Sequence, residues 1–168
     1  MVILNAQIWI FTLTTHSTHE STDMARTLLS TTLVFMLTCS ALGDNWPQWR
    51  GPAGTGVTEG NFPVQFSDSK NVLWKTKLPG VGSSTPIVWG DLIFVTSGNQ
   101  GQDCVQAYDW DGKQVWQKTL GPERPGKHRN GSGSNSSPVT DGKNLYVYFK
   151  SGTVASLTLE GKLNWKSP

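Results

Sequence analysis

The sequence predicts an all-β chain made of two copies of a four-stranded antiparallel unit. Three observations carry this. DGKQVW (residues 111–116) returns as EGKLNW (160–165), and SSTPIVWGDLIFV (83–95) matches NSSPVTDGKNLYV (135–147). Two phrases recurring in the same order mark a duplicated structural unit. Beyond residue 44 no stretch has a useful helical period; apolar residues alternate or run in short blocks. Between those blocks stand Asp111-Gly112, Asp141-Gly142, Ser151-Gly152 and Glu160-Gly161, pairs that tolerate the positive backbone angles of tight hairpins.

The first 43 residues read as address rather than fold. Residues 1–23 hold no Lys or Arg and no turn-and-strand pattern, as expected of an upstream mis-start or an extended leader. Residues 24–43 have the three parts of a signal peptide: Met24-Ala25-Arg26, the apolar run LLSTTLVFML, then Ser40-Ala41-Leu42-Gly43, with cleavage expected before Asp44. The run is too short and too rich in Thr and Ser for a stable membrane span. Cys39 is a poor lipoprotein site, because Met-Leu-Thr precedes it. The working region, from Asp44 on, is therefore expected to be periplasmic or secreted.

Residues 44–70 form a Gly-, Pro- and Asn-rich lead-in, whose Trp46, Trp49 and Phe62 are expected to pack onto something larger. Residues 71–168 hold the two repeats, about 72–116 and 117–165. In VLWKTKL (72–78) Val72, Trp74, Thr76 and Leu78 share one face of an expected strand. Leu92-Ile93-Phe94-Val95 reads as a strand buried on both faces. Val105 and Ala107 alternate, as do Val115 and Gln117. Trp74 and Trp116 lie 42 residues apart, and Trp116 and Trp165 lie 49 apart. The second copy gains a loop, GPERPGKHRNGSGSN (121–135), and its hairpin after Val147 is shorter than that over 97–103. Changes confined to turns are what a repeated sheet tolerates.

Composition narrows the chemistry. Net charge is +2 and charged residues make up 15%, with Lys and Arg scattered, so nothing favours nucleic acid or an anionic membrane. With Cys39 in the leader, Cys104 stands alone, a half-buried strand residue with no disulfide or Cys/His metal spacing. Asp109 and Asp111 are the only paired carboxylates, and flanking Trp110 in a hairpin they read as turn formers; calcium takes about six to eight oxygens. Arg124, Lys127, His128, Arg129 and Asn130 make the inserted loop a candidate anionic-ligand or partner loop, though a flexible solvated loop is the plainer account of them. His128, lacking a second ligand nearby, is no metal site.

Four-stranded units with a period in the forties point to a β-propeller. AYDWDGKQVW (107–116) fits the pattern A-x-D-x-D-G-K-x-x-W and resembles the pyrroloquinoline-quinone-like (PQQ-like) repeat; SLTLEGKLNW (156–165) keeps its Gly, Lys and Trp. NWPQWRGP, VLWKTKLPG and SSTPIVWGD resemble secreted PQQ-like propellers common in planctomycete-type bacteria. The resemblance covers about residues 45–168. It implies that Trp74, Trp116 and Trp165 dock against the neighbouring blade, with Gly112 and Gly161 in the hairpins they share. It also implies that quinone and calcium belong only to a full-length ring, since this chain lacks the adjacent cysteines of the true quinoproteins and many PQQ-like propellers bind no quinone. A ring of seven or eight blades needs on the order of 300–350 residues, so the two repeats are expected to be part of a larger propeller, an N-terminal fragment, rather than a self-assembling pair. The expected function is a non-enzymatic scaffold that meets protein partners through loops or sheet edges. The alternatives are a piece of a periplasmic PQQ-dependent alcohol or sugar dehydrogenase, and a sensor ectodomain.

Overall fold

The computed structural model describes residues 45–167 apart from 61, 68, 125 and 127–131. The leader readings, Cys39 and four of the loop residues (Lys127, His128, Arg129 and Asn130) therefore lie outside the described residues. Eight strands follow in chain order: β1 (Ile87–Trp89), β2 (Leu92–Asn99), β3 (Gln102–Tyr108), β4 (Gln114–Pro122), β5 (Val139–Thr140), β6 (Asn144–Tyr148), β7 (Val154–Thr158) and β8 (Leu163–Ser167). They form two antiparallel meanders, β1-β2-β3-β4 and β5-β6-β7-β8, one per repeat. This is the architecture of a partial all-β propeller. No helix among the described residues is long and apolar enough to cross a membrane.

The hairpins form where the sequence places turn chemistry. Gly112, Gly142, Gly152 and Gly161 all have positive φ. Around Gly112 the Asp109 carboxylate accepts the backbone N–H groups of Asp111 (3.0 Å) and Lys113 (2.9 Å). Thr158 replaces it in the second copy, its Oγ1 accepting Lys162 N–H at 3.3 Å. At the β5–β6 turn Asp141 accepts Lys143 and Asn144 N–H at 2.8 and 2.7 Å. Those two backbone bonds hold its carboxyl down to about 2.

The core lies between the sheets. Register puts Ile87, Phe94 and Ala107 on one face of the first sheet and Leu145, Val147, Ala155 and Leu157 on one face of the second. All are buried, and together with Val105 and Phe149 they form a single cluster. The second hairpin is shorter as expected, with β6 and β7 of five residues each against eight and seven in β2 and β3.

Three sequence expectations fail. Residues 72–78 form no strand, although Val72, Trp74 and Leu78 are half-buried while Leu73, Lys75 and Lys77 are exposed. Alternation gave the segment an extended shape and an inner face, but among the described residues no ladder joins it to the edge of β4 or of β8. Trp49 and Phe62 are 62% and 46% exposed rather than packed; of the lead-in aromatics named above only Trp46 is half-buried, by a bridge to Val88. Cys104 is fully buried, not half-buried, because residues on both faces of β3 are covered.

Candidate functional site

The recurring tryptophans are placed by a recurring backbone irregularity. In the first sheet Trp116 pairs with Ala107 but Gln114 with Tyr108, so Val115 is a bulge residue. In the second, Trp165 pairs with Ser156 but Leu163 with Leu157, which leaves Asn164 as the extra residue. A bulge adds one residue to one strand and re-aims the side chain beside it. Here it puts Trp116 on the face of Ala107 and Phe94, turned toward the second sheet. The small Ala107 leaves room for the indole, whose ring lies 6.0 Å from that of Phe94.

Each docked indole ends on a hairpin glycine. Trp116 donates its N–H to Leu159 O at 2.9 Å, and a Cβ on Gly161 would lie only 2.6 Å from its ring. Trp74 donates to Trp110 O at 2.6 Å, and a Cβ on Gly112 would meet its ring at 2.6 Å. Thus Trp74 meets Gly112, and Trp116 meets Gly161. Trp165 is 49% exposed. A further joint was not legible in the sequence: a Cβ on Gly142 would fall 2.4 Å from Trp89. The match between the two copies hid it, because Trp89 is aligned with turn residues in the second.

Polar groups fasten the same interface. A second bulge, at Leu120, interrupts the β3–β4 pairing, and Lys166 Nζ donates to the Leu120 carbonyl at 2.9 Å. Ser151 Oγ in the β6–β7 turn donates to Asp103 Oδ2 at 2.5 Å. Glu123, at the root of the inserted loop, accepts Gly133 N–H at 3.0 Å, while Lys150 N–H donates to Gly133 O at 3.0 Å. Arg124, the one described member of the predicted ligand loop, is exposed.

Asp103 is fully buried and its Oδ1 has no hydrogen-bond partner. Burial pushes its carboxyl above the ordinary carboxylate range; the Ser151 hydroxyl pulls it back and the charge of Glu123 adds to the rise. A group that holds its proton more tightly when folded contributes stability that is full below its unfolded pKa and is lost as pH rises through the folded value. Asp103→Asn keeps an oxygen for Ser151. It is expected to flatten the fall in Tm as pH rises from about 4, measured by thermal melts across pH; an unchanged slope would exclude Asp103 as its source. Cys104, pushed up to about 11 by burial, stays a thiol at neutral pH.

The far face of the second sheet is uncovered. Val139, Tyr146 and Trp165, with Tyr148 and Val154, occupy the face opposite Leu145, Val147, Ala155 and Leu157. Tyr148 is 51% exposed, and Val139 and Val154 are also exposed. The matching residues of the first sheet, Ile87, Phe94 and Ala107, are wholly buried under the second sheet. The arrangement offers apolar and aromatic surface with an indole at one edge, suited to packing against a further sheet or another protein surface.

No curated protein matches the chain. The family model described as outer membrane protein assembly factor BamB matches residues 57–168, two-thirds of the sequence, and the chain belongs to this family of PQQ-like β-propeller repeats.

Proposed function

We propose that the chain serves as a non-enzymatic protein-binding or assembly scaffold in an extracytoplasmic compartment. The observation that carries this reading is the family match over residues 57–168, whose description is an assembly factor. The open face of the second sheet, with Val139, Tyr148, Val154 and Trp165 exposed, suits a further sheet and a partner protein alike. The singled-out residues support it too: the indole N–H groups of Trp74 and Trp116 bond to backbone carbonyls, and Asp109 caps its own turn. The leader pattern of residues 24–43 supports export, and the reading needs neither quinone nor calcium.

Two measurements test it. Calorimetric titration with calcium and pyrroloquinoline quinone should give no stoichiometric heat; tight one-to-one binding would replace the scaffold with the dehydrogenase reading. Photo-crosslinking from position 148 or 165 in cells should yield a discrete protein adduct from the exported fraction. Its absence, or retention of the full-length chain in the cytoplasm, would contradict the proposal.

A further inference from the structure

Residues 45–48 belong to neither sheet, yet their backbone is bonded to both. Trp46 N–H donates to Val88 O at 2.8 Å and Val88 N–H returns to Trp46 O at 2.9 Å, an antiparallel bridge on the edge of β1. One residue on, Pro47 O accepts Thr140 N–H of β5 at 2.9 Å. Asn45 Oδ1 accepts the N–H of Gly90, in the β1–β2 turn, at 2.8 Å. Successive backbone carbonyls of an extended chain point to opposite sides, so one residue serves β1 and the next serves β5.

The residue types fix this register. At Trp46 both N–H and C=O are used, whereas at Pro47 only the C=O is used, so proline's missing donor costs nothing there. A slip of one residue would set Pro47 against Val88 and leave the carbonyl of a buried residue without its donor. Beyond the bridge the chain turns back at once. Gly51 N–H bonds to Gln48 O at 2.9 Å, and the Trp46 ring covers Gly51 so closely that a Cβ there would lie 2.8 Å away. That turn holds the segment in the extended form its seat requires.

We infer that the edges of β1 and β5 form a peptide seat and that residues 45–48 are its built-in ligand, a strap clamping the two sheets at their first strands. Trp116 and Lys166 fasten the opposite, outer-strand side. The seat accepts an extended peptide with a free N–H at its first bonded position and tolerates proline at the second. With the strap in place the edge of β1 is closed to an added strand, so partners that pair by strand addition are directed to β4 and β8. The inference stands independently of the scaffold reading.

The test is amide hydrogen exchange at Val88 and Thr140. Deleting residues 44–48 should speed exchange at both amides at least about tenfold while the amides of β7 keep their protection. A synthetic peptide of residues 44–51 at millimolar concentration should restore the protection, and the same peptide carrying Trp46→Pro should not. Unchanged exchange after deletion, or equal restoration by both peptides, would overturn the inference. Should the deleted chain not fold, full-length Trp46→Pro and Pro47→Ala decide the matter. The first should expose Val88 to exchange and lower Tm by several degrees, and the second should do neither. Equal behaviour of the two would refute the strap.

Discussion

Trp116→Ala is expected to lower the unfolding free energy by about 3 kcal/mol, and Trp165→Ala by less than about 1 kcal/mol. The two residues end the same repeated phrase and follow the same bulge, so sequence alone assigns them equal weight. Their surroundings differ. Trp116 packs against the inter-sheet core beside Phe94 and gives its N–H to Leu159 O, whereas Trp165 is 49% exposed. Removing a largely buried indole costs the transfer of its area and leaves a cavity. Trp116→Phe should recover most of the loss, falling short by about 1 kcal/mol for the hydrogen bond to Leu159. Urea unfolding followed by far-ultraviolet circular dichroism separates these variants. Equal costs at 116 and 165 would mean that the joint with Gly161 adds nothing.

The second large effect is expected at Gly161. Its φ is +85°, and a Cβ there would lie 2.6 Å from the Trp116 ring. Gly161→Ala should therefore incur left-handed backbone strain of about 1–2 kcal/mol and a further 1–3 kcal/mol, roughly, for displacing the indole. Gly152→Ala is the control. Its φ is also positive, at +101°, but nothing lies within 4 Å of the added methyl. It should show the strain alone. Equal losses at 152 and 161 would show that the turn conformation, and not the docked ring, governs the cost.

Much of this architecture could be read from the chain. The Asp-Gly, Ser-Gly and Glu-Gly pairs marked four of the hairpins because positive φ has a residue signature. The apolar run at Leu92–Val95 predicted a strand buried on both faces, and Phe94 and Val95 are indeed buried on opposite sides of β2. What failed was legible only in three dimensions. Alternation in residues 72–78 describes a chain with an inner and an outer face, but a strand also needs a neighbour to bond. The bulges at Val115 and Asn164 leave no mark in spacing, since both copies carry them and the phrase length is unchanged. Asp103 and Ser151 are 48 residues apart, and nothing local announces their bond. Trp46 was expected to pack through its ring. Its backbone, bonded to Val88, is the part that ties the lead-in to the sheets.

The open face of the second sheet was harder to see for a related reason. Val139, Tyr148 and Val154 look like ordinary strand residues, and their counterparts in the first sheet are core. Only the position of the second sheet, covered on one side and bare on the other, distinguishes surface from interior. Blade packing and partner binding use the same residue types, so sequence cannot separate them.

A double-mutant cycle between Trp116→Ala and Gly161→Ala tests most directly whether an indole seated on a hairpin glycine joins the two repeats. With the ring removed, Gly161→Ala should cost only its backbone strain, which gives a coupling of about 1–3 kcal/mol between the two sites. Strictly additive losses would contradict the joint and, with it, the account of how these two sheets are held together.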